Sequence, residues 1–130
     1  MSHRLTHAEA VSLFDARRKA WLEENAEAYL ALWAEDMEIE IPGREIVRGK
    51  AAYAEMIQQS FATMRPLTWE FHRIVVDEDH VLSEWTIAGE LRRIERSVTW
   101  RGMSTCRIAG GLIQVWREYW DPAALRTTAR

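Results

Sequence analysis

Cysteine is nearly missing from this chain. Cys106 stands alone, so no disulfide can form within the molecule, and the sequence suits a reducing compartment. Lysine is almost as scarce, with Lys19 and Lys50 only, and the net charge is −3. A clustered basic face is what nucleic-acid binding needs, and none is present, so nucleic acid is not an expected partner. No apolar run approaches the roughly 18 residues of a membrane span, and the opening MSHRLTHAEA has no apolar signal-peptide segment. With no address and no membrane segment, the cytoplasm is the expected location. The four histidines show neither HxH nor HExxH spacing, and there is no glycine-rich phosphate loop or serine nucleophile elbow. No metal and no organic cofactor is therefore expected.

The length suits a single domain, 1–130, that buries about 65–70% of its unfolded surface. Tryptophan is the outlier in its composition, with Trp21, Trp33, Trp69, Trp85, Trp100, Trp116 and Trp120. Each can bury ~150–250 Å² and wants an acceptor for its indole N–H. Thr6-His7-Ala8-Glu9 has capping-box spacing and opens a helix carrying Val11, Phe14 and Trp21 on one stripe. Arg17, Arg18 and Lys19 near its end suit the helix dipole. Asn25 begins a second helix with Ala26, Tyr29, Leu30 and Trp33 at helical spacing, ended by Glu35-Asp36. Met37 to Ile41 alternates as a half-buried strand closed by Pro42-Gly43. Gly49 precedes a third helix to about Met64, stopped by Pro66. Four strands follow: Leu67 to Val76, Val81 to about Leu91, Val98 to Ile108, and Leu112 to Trp120. Three N-terminal helices and a curved antiparallel sheet make an α+β domain.

In the last strand, Trp116-Arg117-Glu118-Tyr119-Trp120-Asp121, alternation puts Trp116, Glu118 and Trp120 on one face. A carboxylate between two indoles is a candidate acid or base if that face lines a cavity. It is an ordinary ion-pair residue if it meets a buried arginine instead.

The order of elements, with LWAEDMEIEIPG early and REYWD closing the sheet, resembles the NTF2-like superfamily and its SnoaL-like branch. The resemblance implies a cone of bent sheet wrapped over helices, a pocket in the cone, and a homodimer. The C-terminal segment looks most like the limonene-epoxide-hydrolase group, whose pocket-facing acid falls here on Glu118. By that likeness Trp69, Trp85, Trp100, Trp116 and Trp120 share the concave face with Ile39, Ile41, Phe71, Ile87, Gly102, Ser104 and Cys106. The departures matter as much. The arginine and second aspartate of those hydrolases fall on Trp85 and Ile87, and their water-holding tyrosine and asparagine near Ile39 and Ile41. The ketosteroid-isomerase base position is Ile41, before Pro42. Dehydratase-like chemistry leans on pocket histidines, whereas His72 falls on the opposite face and His80 in a turn. One acid among apolar walls is left, about what the polyketide cyclases of the SnoaL branch use.

The sequence therefore points to a protein binding a hydrophobic, aromatic or polycyclic small molecule. Its reaction, if it has one, would be cofactor-free proton transfer by Glu118 (cyclisation, isomerisation or elimination). Trp69, Trp85, Trp100, Trp116, Trp120, Ile39, Ile41, Phe71 and Ile87 would touch the ligand, and Tyr53 could donate at the cone mouth. The alternative is a non-catalytic binder, or a dimeric interaction module whose tryptophans fill the cone. Trp21 and Trp33 are expected to pack helices, and Cys106 to be a small buried hydrophobe.

Overall fold

The computed structural model describes residues 4–128. Helix α1 spans His7–Leu22, and its N-terminus is closed reciprocally: Glu9 N–H donates to the Thr6 hydroxyl and Thr6 N–H to the Glu9 carboxylate. Glu24 then takes a positive φ of 53°, and the Asn25 side chain caps α2, Ala26–Leu30, by accepting from Ala28 N–H. This second helix is shorter than its apolar spacing suggests. Trp33 belongs to strand β1, Trp33–Glu40, as do Glu35 and Asp36, which were expected to end a helix. Burial explains the difference. Trp33, Ala34, Met37 and Ile39 all lie inside, and tertiary packing overrides a spacing that fits helix and strand alike.

A short β2, Val47–Arg48, pairs with β1, and Gly49, at φ 89°, leads into α3, Lys50–Thr63. From there the chain is strand and turn: β3 Met64–Asp77, β4 His80–Leu91, β5 Arg96–Ala109 and β6 Leu112–Tyr119. A final α4, Ala123–Thr128, lies against β5 and was not anticipated. Pro66 falls inside β3 rather than before it. The place is tolerable because β3 is an edge strand, where a missing N–H breaks no central ladder.

The six strands form one open sheet in the order β2-β1-β6-β5-β4-β3. All neighbours are antiparallel except β1 and β6, which run parallel with Ile39 opposite Trp116. The expected fully antiparallel sheet is corrected at that pair alone. Irregularities within the β3–β4 ladder re-aim β3, so that Phe71 and Ile74, three apart, both pack inward. The helices cover the concave face. Most of the core, including Phe14, Tyr29, Trp33, Met37, Tyr53, Ile57 and Trp116, lies between helices and sheet. A second cluster of Trp69, Trp85 and Ile87, with Trp21, Phe71, Trp100 and Trp120 against it, lies toward the long β4–β5 hairpin.

Candidate functional site

Glu118 stands on β6 between two indoles of the same face, with a cation behind them. Alternation on β6 does bring Trp116, Glu118 and Trp120 together. The indole N–H of Trp116 donates to Glu118 Oε2 at 2.9 Å, and that of Trp120 donates to Oε1 at 3.0 Å. Both oxygens are therefore anchored and the carboxyl plane is fixed, while each oxygen keeps a second lone pair. Glu118 is half-buried, and among the described residues it joins no ion pair. Across the ladder Ser104 is its partner on β5. Ser104 Oγ accepts the Trp85 indole N–H at 3.2 Å and shares a proton with Ser83 Oγ at 2.6 Å.

Gly102 makes this arrangement possible. A Cβ there would lie 2.7 Å from Trp85 Cη2 and 3.1 Å from Trp120 Cβ, so the bare backbone is the floor on which both residues rest. Trp100 lies beside Trp120, with ring centroids 5.8 Å apart and planes tilted by 39°. Trp100, Trp120, Gly102 and Glu118 are all partly exposed, whereas Trp85 and Trp116 are sealed.

Deeper in the cone sits Arg17, noted in the sequence only as one of three cations near the end of α1. Arg17 is 2% exposed. Its guanidinium carbon lies 3.9 Å from the ring centre of Trp116, 4.8 Å from Trp69, 5.0 Å from Trp33 and 5.4 Å from Tyr29. Nε and Nη2 donate to the Tyr29 hydroxyl at 3.1 and 2.8 Å, and that hydroxyl bonds Tyr53 Oη at 2.7 Å. Burial acts to lower the pKa of Arg17, but electrostatic interactions with Tyr29, Tyr53 and Glu118 and the Tyr29 hydrogen bond act against it. The net direction is upward, and the guanidinium remains a cation inside an aromatic cage. Burial in turn pushes the Tyr53 phenol well above its ordinary value, and the Cys106 thiol up to about 12. Cys106 is thereby the inert, buried hydrophobe expected of it.

A comparison with protein families matches residues 14–116 to the SnoaL-like domain. This chain belongs to that family. Solved structures of the same fold include an epoxide hydrolase from M. tuberculosis that resembles limonene epoxide hydrolase. It is 23% identical over 93% of this chain and 89% of its own, with a TM-score of 0.80. A Bacillus subtilis protein proposed to be an isomerase matches with a TM-score of 0.85 and 19% identity, covering 94% of this chain and 93% of its own. A ketosteroid-isomerase-like protein from Catenulispora acidiphila, solved with trimethylamine, is 16% identical over 89% and 90% of the two chains, with a TM-score of 0.80. No curated protein matches the sequence. At these identities the likeness establishes the NTF2-like fold of the SnoaL-like domain. The family match also stops at Trp116, so it is made without Glu118 and Trp120.

The aromatic face implied by the resemblance is thus present in the SnoaL-like domain but divided. Trp69, Trp85, Ile87, Ile39, Trp116 and Tyr53 are buried in the packed interior, and Tyr53 bonds Tyr29 rather than reaching the mouth. Ile41 and Phe71 are partly buried against the core. Trp100 and Trp120 are left beside Glu118 at the rim. His72 is exposed, bonding the Thr86 hydroxyl at 2.7 Å, as its opposite-face position implied. Two clefts are external: one of about 520 Å³ at Arg4, Leu5 and Ile74, and one of about 590 Å³ on the outer sheet at His72, Glu84, Arg101 and Tyr119. Arg17 and Tyr29 were the missed residues. The signal for Arg17 was its spacing, three after Phe14 and four before Trp21, which puts it on the apolar stripe of α1.

Proposed function

We propose that this SnoaL-like domain binds a hydrophobic, aromatic or polycyclic small molecule at the rim of the cone, against Trp100 and Trp120, and that Glu118 moves a proton on it. The observation carrying this reading is the half-buried Glu118 carboxylate, anchored at both oxygens by indole N–H groups and, among the described residues, in no direct ion pair. Such a group has one orientation and free lone pairs, the condition for a general base that takes a proton from an activated C–H or O–H and returns it elsewhere on the same molecule. In an isomerisation the proton returns to another carbon, and in a cyclisation to the oxyanion left when the new C–C bond forms. In an elimination it goes to the leaving oxygen as its C–O bond breaks and water departs. A fold neighbour solved with trimethylamine supports a small molecule as the ligand class. Cys106, buried and reduced, supports the cytoplasm as the location.

The test begins with tryptophan fluorescence against a panel of aromatic compounds, which finds a ligand by quenching or shift. On any compound turned over, Glu118→Gln should lower the rate by about 10²–10⁴-fold, the usual weight of a positioned acid–base group. Full turnover by Glu118→Gln ends the mechanistic reading.

A second reading is favoured by the filled interior. With Arg17 and its rings occupying the cone, the domain would act as a dimeric interaction module, or as a binder without catalysis. The outer sheet supports the dimer: Val75, Leu82, Met103 and Tyr119 are 41–59% exposed on it. In that case no aromatic compound would perturb the fluorescence, or binding would occur without product.

A further inference from the structure

We infer that the ligand carries a positive charge: the rim takes an organic ammonium ion, its charged head on Glu118 and its apolar body on Trp100 and Trp120. This rests on the reading of the rim as the ligand site and specifies what the site selects.

The polar atoms an incoming molecule can meet at the rim decide its charge. An indole offers one donor, its N–H, and otherwise a ring face that is electrically negative. At the rim every such donor is already committed or hidden. The Trp116 and Trp120 N–H groups point onto Glu118, and the Trp85 N–H onto Ser104. The Trp100 nitrogen is buried without a partner among the described residues, and so turned away from the surface. What these partly exposed residues have left to offer is therefore carboxylate lone pairs and aromatic ring faces. Carboxylate lone pairs only accept, and ring faces attract cations. A ligand oxygen would find no free indole donor here, whereas an ammonium group would find both a carboxylate and ring faces.

Arg17 does not cancel this selectivity. It lies behind Trp116, 2% exposed, with its Nε and Nη2 held by Tyr29, and cannot reach the rim. Its charge interacts favourably with Glu118 from the inside. The aromatic cage around Arg17 also shows the same principle at work within the chain: the inner rings hold a guanidinium, and the outer rings repeat the pattern beside a carboxylate.

The experiment compares matched probes on the full chain by isothermal titration and tryptophan fluorescence: benzyltrimethylammonium, its neutral isostere neopentylbenzene, and benzylsulfonate. The cation should bind about tenfold or more tightly than the neutral isostere, with the sulfonate weakest. Glu118→Gln should bring the cation down to the neutral level and leave neopentylbenzene unchanged. The wild-type protein gives a readout that needs no variant. The Trp116 and Trp120 indole N–H resonances should shift on adding the cation, because the bonded carboxylate is then shared, and shift less with the neutral probe. Equal affinity of cation and isostere, or a cation preference that survives Glu118→Gln, overturns the charge assignment while the apolar rim site stands. If none of the three binds, both the charge assignment and the rim site fall.

Discussion

Replacing Arg17 by alanine should destabilise the domain by about 3–5 kcal/mol, because it removes the centre of a buried charged network and leaves a void between four rings. Tyr29 and Tyr53 would keep only each other, and Glu118 would lose the charge that balances it from within. Arg17→Met should cost clearly less, since an unbranched apolar chain refills the cage. Urea denaturation of the two variants checks this, and an alanine cost below about 0.5 kcal/mol, the range of ordinary surface changes, contradicts it. At this scale the sequence was half legible. The alternation of β6 correctly brought Trp116, Glu118 and Trp120 to one face, because a period of two needs no knowledge of neighbours. Arg17 was read by its charge and its place near a helix end, when its position on the apolar stripe was the stronger signal. An arginine can be buried when aromatic faces and hydroxyls replace its water, and a single sequence does not show those faces converging.

Elements were legible where local chemistry decides them and less so where tertiary partners do. The capping box of α1, the Gly110-Gly111 turn with φ of 59° and 79°, and the four long strands follow from residue types alone. The end of α2 does not, since Tyr29 and Trp33 fit a helix by spacing while Trp33 is claimed by the sheet. The parallel pairing of β1 with β6 depends on elements about 80 residues apart in sequence and left no local mark. Gly102 is the element-level position with the sharpest consequence. Gly102→Ala would force a methyl group against the ring of Trp85, which stands on a strand paired to its own, and against the Trp120 Cβ. The substitution should cost about 1–3 kcal/mol, as overpacking does, and weaken the Trp85–Ser104 hydrogen bond. Gly89→Ala makes the useful contrast. There the Cβ meets the flexible end of Met64, which can swing aside, so the loss should be smaller. Thermal melts with near-ultraviolet circular dichroism would rank the two, and an equal or larger loss at Gly89 would contradict the account.

For the whole molecule, the open sheet has a covered inner face and an uncovered outer one, and the proposed homodimer turns on the latter. Two adjacent rows cross it. Tyr119, Met103 and Glu84 stand side by side on β6, β5 and β4, and Arg117, Thr105, Leu82 and Val75 form the next row. Exposed apolar side chains in neighbouring rows make a patch rather than scattered residues, and patches of that kind mark association surfaces. Glu84 and Arg101 on the same face have no ion-pair partner among the described residues. A two-fold contact repeats the same patch on both sides, so Glu84 of one copy could meet Arg101 of the other without any second surface. Met103→Glu would then place two like charges near a two-fold axis, in a contact of about 1,200–2,000 Å² if it is of standard size. Sedimentation equilibrium should show wild type as a dimer and Met103→Glu shifted to monomer, with the far-ultraviolet spectrum unchanged. Ile94→Glu, at the exposed tip of the β4–β5 hairpin, should leave the dimer intact. A wild type that sediments as a monomer, or a dimer disrupted by Ile94→Glu and not by Met103→Glu, removes the outer face from the assembly and leaves its apolar rows to be explained by another contact.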